Sequence, residues 1–196
     1  MNDLRRIEAF LEAKSAETGA SQNTLSAYAR DLADFHEFLI DKKQDLMQVD
    51  MAGVEAYLVD LVNRDLSQST RARRLSAIKQ FFHFCLEENW RADHPALQIT
   101  GPGREKSLPK TMTVIDVDRL MDCAITTAKG AVERARNACL MQVLYATGMR
   151  VSELMSLPVA ACRGEPEFLL IKGKGGKERI VPLSPPASAA LTLWLY

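Results

Sequence analysis

The sequence has little cysteine and places none of it in close pairs. Cys85, Cys123, Cys139 and Cys162 stand 38, 16 and 23 positions apart. No Cys-x-x-Cys exists to seed a zinc site or a redox couple, so the four read as reduced thiols, mostly in cores. Histidine is scarcer: His36, His83 and His94, all in the first half. No apolar run approaches the ~18 residues that a spanning helix needs. The opening MNDLRRIEAF carries charge where a signal peptide needs its apolar stretch. These absences exclude a disulfide scaffold and predict a cytoplasmic protein without membrane contact. What is present, 47% apolar and 26% charged residues over 196 positions, suits a globular chain of one large domain or two small ones.

The net charge of zero hides an asymmetry. Residues 1–98 hold 12 Lys+Arg against 16 Asp+Glu, a net of −4, and residues 99–196 hold 13 against 9, a net of +4. The first half reads as four helices. Residues 3–17 space Leu4, Ile7, Phe10 and Leu11 helically; 21–42 open on Ser21 as a cap and run Leu25, Tyr28, Leu32, Phe35, Leu39. Residues 51–64 and 67–89 repeat the pattern, and the short connections imply an antiparallel bundle. In the last of these helices His83, set among Phe81, Phe82 and Phe84, reads as a core or boundary residue.

At Thr100-Gly-Pro-Gly-Arg-Glu-Lys-Ser-Leu-Pro-Lys110 the composition turns to glycine, proline and charge, which predicts an exposed linker over 99–110 between domains 1–98 and 111–196. Helices follow at 114–127 and 131–147, the second ended by Gly148, and a short one at 152–157. Two β-prone runs, 167–172 and 178–183, flank Gly173-Lys-Gly-Gly-Lys177 and predict a hairpin with a basic tip. A last helix begins near Pro185. The expected fold is mainly α with a small β-hairpin: an N-terminal helical bundle and an α+β second domain.

Three places carry candidate chemistry. Arg71, Arg73, Arg74 and Lys79 crowd the N-terminal half of the fourth helix, while Asn23, Thr24, Ser26 and Arg30 line the start of the second. Such a cluster is either a solvated face or a set of phosphate and groove contacts, for which guanidinium groups are well shaped. In Tyr145-Ala-Thr-Gly-Met-Arg-Val-Ser-Glu-Leu154, Arg150 sits on the turn between two helices, Ser152 is placed to cap the second, and Glu153 lies in its first turn. An arginine so held suits an oxyanion; the plainer alternative is a local pair with Glu153. At the hairpin tip, Lys174 between glycines either donates a proton or holds a phosphate, or serves solubility alone. A nucleotide-binding P-loop is excluded, because Lys177 is followed by Glu178 and a strand rather than by Ser or Thr and a helix.

In this order, NTLSAYARDL, the basic fourth helix, a linker ending SLPKTMT, YATGMRVSEL and the hairpin IKGKGGKERIVPL, the chain resembles the tyrosine recombinases, most closely the bacterial Xer type. The resemblance implies a SAM-like core-binding domain over 1–98 and the first part of a catalytic domain over 111–196. Arg150 falls on the first catalytic arginine, Lys174 on the hairpin lysine that protonates the departing 5′ oxygen, and Glu153 on the arginine's acidic companion. Asn23, Thr24, Arg30, Arg71, Arg73, Arg74, Lys79 and Lys177 fall on DNA-contacting positions. The implied activity is site-specific DNA recombination through a 3′-phosphotyrosyl link, for chromosome-dimer resolution or integration, with no metal and no cofactor. Its implied partners are a double-stranded recombination site and paired or identical recombinase subunits, four to an assembly on DNA.

The sequence departs from that family in one respect. A His-x-x-Arg pair, a further His or Trp and the nucleophilic Tyr are expected after the hairpin, yet no histidine follows His94. Tyr28, Tyr57 and Tyr145 read as packing residues, and Tyr196 comes too early for the nucleophile. The chain is therefore expected to be cut short within the catalytic domain and to bind DNA without cleaving it. A naturally short DNA-binding regulator or competitor of recombination is the alternative, and a nonfunctional remnant a third.

Overall fold

The computed structural model describes residues 2–103, 111–164 and 166–195, with Glu17, Thr18 and Lys174 described by backbone alone. Among the described residues the chain is mainly helical with one two-stranded antiparallel sheet, and it divides into two units, Met1–Ser107 and Leu108–Tyr196.

In the first unit each helix starts where a small polar side chain can accept from its first turn. Helices α1 (Asp3–Thr18), α2 (Gln22–Asp41), α3 (Met51–Asn63) and α4 (Gln68–Glu87) are capped by Asn2, Ser21, Asp50 and Ser67. Their apolar stripes converge on a core of Phe10, Leu32, Phe35, Tyr57, Phe81 and Phe82. Phe35 lies 4.9 Å from Tyr57 and Phe10 lies 5.8 Å from Phe81, centroid to centroid, in tilted and edge-on arrangements that aromatic quadrupoles favour. Asp3 is buried, and its Oδ2 accepts the amide of Leu46 at 2.9 Å, tying the start of α1 to the connection after α2.

His83 departs from expectation. It is exposed and lies 3.4 Å from Glu87, because α4 buries Phe81, Phe82, Phe84 and Cys85 on flanking faces and leaves His83 on the narrow strip between them. Of the stretch expected as linker, 104–110 lies outside the described residues. Its first part packs back on the helical unit: Ile99 is buried in that core, and Gln68 donates to the carbonyl of Gly103.

In the second unit, α5 (Val114–Thr126) opens with a capping box in which the Thr113 hydroxyl accepts from the amide of Asp116 and Asp116 accepts from the amide of Thr113. Helix α6 (Ala131–Thr147) ends at Gly148 in the left-handed region, φ 59°. Its amide donates to Leu144 O at 2.9 Å, the turn that a glycine closes without Cβ strain. Helix α7 (Val151–Met155) follows at once, then a 3-10 turn at Val159–Cys162. The residue at the N-cap of α7 is Arg150, not Ser152, which lies inside the first turn. Strands β1 (Phe168–Lys172) and β2 (Glu178–Pro182) pair with Leu170 opposite Ile180 and Ile171 opposite Arg179, and α8 (Pro185–Leu195) closes the unit. Leu169 and Ile171 alternate inward from β1 onto Cys139, Val143, Ala187 and Leu191. Tyr145, expected to pack, is exposed.

Candidate nucleic-acid and phosphate sites

The polar start of α2 is built on its cap. Thr24 N–H donates to Ser21 Oγ, and the two hydroxyl oxygens lie 2.9 Å apart. Asn23 is exposed beside them, and Arg30, also exposed, donates from Nε to Ser26 O at 3.1 Å. The α4 cluster is divided between surface and interior. Arg73, 47% exposed, pairs with the buried carboxylate of Asp31, and Lys79 donates to Leu97 O at 3.2 Å. Arg71 is half-buried.

Arg74 behaves otherwise. It is 13% exposed, pairs with Asp34 and donates to Tyr57 Oη at 2.9 Å. Tyr57 donates to Asp34 at 2.6 Å, and Arg64 Nη2 donates to the same carboxylate at 2.7 Å. Burial pushes the Asp34 carboxyl up, but Arg64, Tyr57 and Arg74 together outweigh it and hold the group below the usual carboxylate range. The same burial, with Asp34 alongside, raises the Tyr57 phenol. Arg74 is thus turned into the α2–α3–α4 interface by an acid on a neighbouring helix. The helical spacing of Asp31 and Asp34, one turn apart on α2, is the sequence signal for it.

In the second unit one carboxylate organises the site. Glu153 is 6% exposed and accepts four hydrogen bonds: from Arg150 N at 2.8 Å, Arg150 Nη1 at 2.9 Å, Arg179 Nη1 at 3.1 Å and Arg179 Nη2 at 2.7 Å. The Arg179 fork and the Arg150 amide together hold its carboxyl well below the ordinary range, at about 2. Arg150 itself is 69% exposed, with one guanidinium nitrogen committed to Glu153 and the rest of its donors free of that carboxylate. Both alternatives weighed for Arg150 therefore meet in one geometry: it is paired with Glu153, and it is outward-facing. Such a fixed, exposed guanidinium can take a phosphate oxygen without first being ordered.

Backbone hydrogen bonds close the hairpin tip: Gly173 N–H donates to Lys177 O at 2.7 Å, and Gly176 N–H to Gly173 O at 3.2 Å. Lys177 is exposed. The side chain of Lys174 and all of Tyr196 lie outside the described residues. Arg179 escaped the sequence reading. On β2 its side chain shares a face with Val181, which packs on the second core, so strict alternation was the signal that could have turned it inward. Among the described residues no three metal-ligating side chains are gathered.

The two units match separate family descriptions: residues 7–89 the phage integrase N-terminal SAM-like domain, and residues 110–196 the phage integrase family. The chain is 43% identical over 188 residues to tyrosine recombinase XerD of Caulobacter vibrioides, covering 96% of this chain and 61% of that protein. To XerD of Agrobacterium fabrum it is 46% identical over 193 residues, covering 96% and 58%. The chain thus spans about three fifths of the length of the curated relatives it matches. Among solved structures, the XerH site-specific recombinase bound to a palindromic difH substrate aligns with a TM-score of 0.70 at 23% identity, over 98% of this chain and 57% of that one. A lambda integrase tetramer bound to a Holliday junction aligns with a TM-score of 0.72 at 15% identity, over 91% and 48%. At such identities these two likenesses concern the fold alone.

Proposed function

Because the chain belongs to the phage integrase family of tyrosine recombinases, we propose that it acts in Xer-type site-specific recombination, gripping a DNA duplex and presenting a phosphodiester to Arg150 and Lys174. The observation that carries this reading is the Glu153 cradle, which leaves the Arg150 guanidinium exposed beside a glycine-rich basic hairpin. Arginine aimed at a nonbridging oxygen stabilises the charge that builds up as phosphorus is attacked, and Lys174 is the proton donor to the departing 5′ oxygen.

Asn23, Thr24, Arg30, Arg71, Arg73 and Lys79 supply backbone and groove contacts from α2 and α4, with Lys177 adding one from the hairpin. Arg74 acts through its neighbours, by fixing α4 on α2 and α3. The partners are a double-stranded recombination site and other recombinase subunits, identical or paired, in a tetramer. The setting is cytoplasmic, and the outcome is chromosome-dimer resolution or integration. The domain limits that fit this division of labour are 1–98 for the DNA-binding bundle, 99–110 for the linker and 111–196 for the catalytic portion. None of the three histidines is followed by arginine three positions on, so the 196-residue chain binds without cutting.

The test is fluorescence anisotropy on a duplex carrying a Xer recombination site, across a salt series. Log affinity is expected to fall linearly with log salt, in proportion to the phosphates neutralised. A flat response removes the DNA reading. A covalent protein–DNA adduct on a nicked suicide substrate would falsify the claim that this chain does not cleave.

A further inference from the structure

Glu153 offers about four lone-pair sites, and four donors fill them. Two come from the Arg179 fork, one from the Arg150 amide, and only one from the Arg150 guanidinium. We infer that Arg179 is a positioning residue, which occupies the carboxylate of Glu153 so that Arg150 stays turned outward beside the hairpin turn 173–177. The inference rests on the reading of Arg150 as a phosphate ligand and adds to it a device that fixes where that ligand stands.

Charge and geometry both support it. With Arg179 in place, two cations share one anion, and the trio keeps a net positive charge for an incoming phosphate. Without it, the remaining pair of Glu153 and Arg150 is neutral. Two acceptor sites of a carboxylate that is almost wholly enclosed then stand empty, and the nearest guanidinium, Arg150, closes on them as a bidentate pair. Its outward donors are thereby withdrawn.

The same pair sets the hairpin. An added Cβ at Gly173 would meet Arg179 Nη1 at 3.3 Å and Glu153 Oε1 at 3.4 Å, so the backbone entering the turn lies directly against the ion pair. Gly173 N–H in turn holds Lys177 O, the residue that leaves the turn. From β2 through Glu153 to the start of α7, one run of hydrogen bonds therefore spans the hairpin and the arginine turn. A lysine at position 179 would restore the charge without the planar fork, which separates the two contributions.

The experiment has two arms on the 196-residue chain. In the first, the Arg150 Nε–H signal is followed by NMR in the wild type, Arg179→Met and Arg179→Lys. Arg179→Met is expected to move and broaden it, and Arg179→Lys to do so in part; an unchanged signal in a folded Arg179→Met protein overturns the inference. In the second, affinity for the duplex is measured as a double-mutant cycle. Arg150→Ala is expected to weaken binding about tenfold and Arg179→Met about fivefold, with Arg179→Met adding nothing once Arg150 is gone. Additive losses mean that Arg179 touches DNA for itself, and a lowered melting temperature with unaltered affinity and signal means that it only staples the fold; either result overturns the inference. Full affinity in Arg150→Ala would instead remove the phosphate reading of Arg150, while the NMR arm still decides whether Arg179 positions it.

Discussion

In the helical unit the rings of Phe10, Phe35, Tyr57, Phe81 and Phe82 are fully enclosed, whereas among the described residues of the second unit no aromatic ring is buried and α5 buries none of its residues. The polar contacts differ in the same sense. Asp34 of the first unit collects Tyr57, Arg64 and Arg74 from distant points of the chain, locking three helices together. Among the described residues the second unit relies more on contacts of short reach, such as the Thr113–Asp116 capping box and the Gly148 turn, with longer ties from Asn137 to Ala124 and from Arg179 to Glu153. Arginine is used oppositely as well. Asp34 draws Arg74 inward, while Glu153 leaves Arg150 facing solvent. Burial holds the helical unit together, and local rules build the arginine turn.

The largest effect expected from that contrast is on the cores. Phe35→Ala leaves a cavity among Tyr57 and Phe82, at a cost of about 3–5 kcal/mol to the helical unit. Ile115→Ala in α5, a position 63% exposed, changes stability by less than about 0.5 kcal/mol. The molecule carries its own reporters, since Trp90 packs on the first core and Trp194 lies on α8. Urea unfolding of single-tryptophan variants is expected to show Phe35→Ala moving the Trp90 transition and leaving that of Trp194 in place. A common shift of both would break the comparison.

A smaller effect sharpens the contrast between distant and local polar contacts. Tyr57→Phe removes a hydrogen bond to an ionised carboxylate that retains its arginines, at about 1.5 kcal/mol, and moves the Trp90 transition. Thr113→Ala removes a cap at about 1 kcal/mol and moves the Trp194 transition. If Tyr57→Phe proves neutral, the network on Asp34 is decoration rather than a lock.

The helices and the hairpin were legible because their periods repeat over many residues and their ends carry Ser21, Ser67 and Gly148, signals with a local mechanism. The family resemblance rested on the same local runs. What stayed hidden depended on partners far along the chain. Asp31 and Asp34 look like ordinary surface acids until α4 is laid beside α2. Arg179 sits in a stretch whose lysines drew the chemical reading, and only its alternation with Val181 marks it as inward. His83 was misplaced for a related reason: an apolar neighbourhood in sequence is not one in space when a helix buries two faces and exposes the strip between. Tyr145 lies off the single face of α6 that Cys139 and Val143 bury.

The last expected effect concerns acid, and it is carried by Glu153 of the second unit. The Glu153 carboxyl is held at about 2 in the folded chain, chiefly by the Arg179 fork and then by the Arg150 amide, against an ordinary value of 4.5. A carboxyl whose folded value is depressed binds fewer protons folded than unfolded between those two values. Its contribution is therefore whole above pH 4.5 and is lost as pH falls towards 2. In Glu153→Gln that contribution is missing at neutral pH, and nothing remains at this position to titrate. Asp116, also depressed through its bonds to Thr113, still gives the variant some acid sensitivity, so the quantity that isolates Glu153 is the difference between wild type and variant. Followed by Trp194 fluorescence, that difference is expected to be constant above pH 5 and to shrink steadily below it. A difference that held constant down to pH 2 would mean that the carboxylate is not what joins the arginine turn to the hairpin.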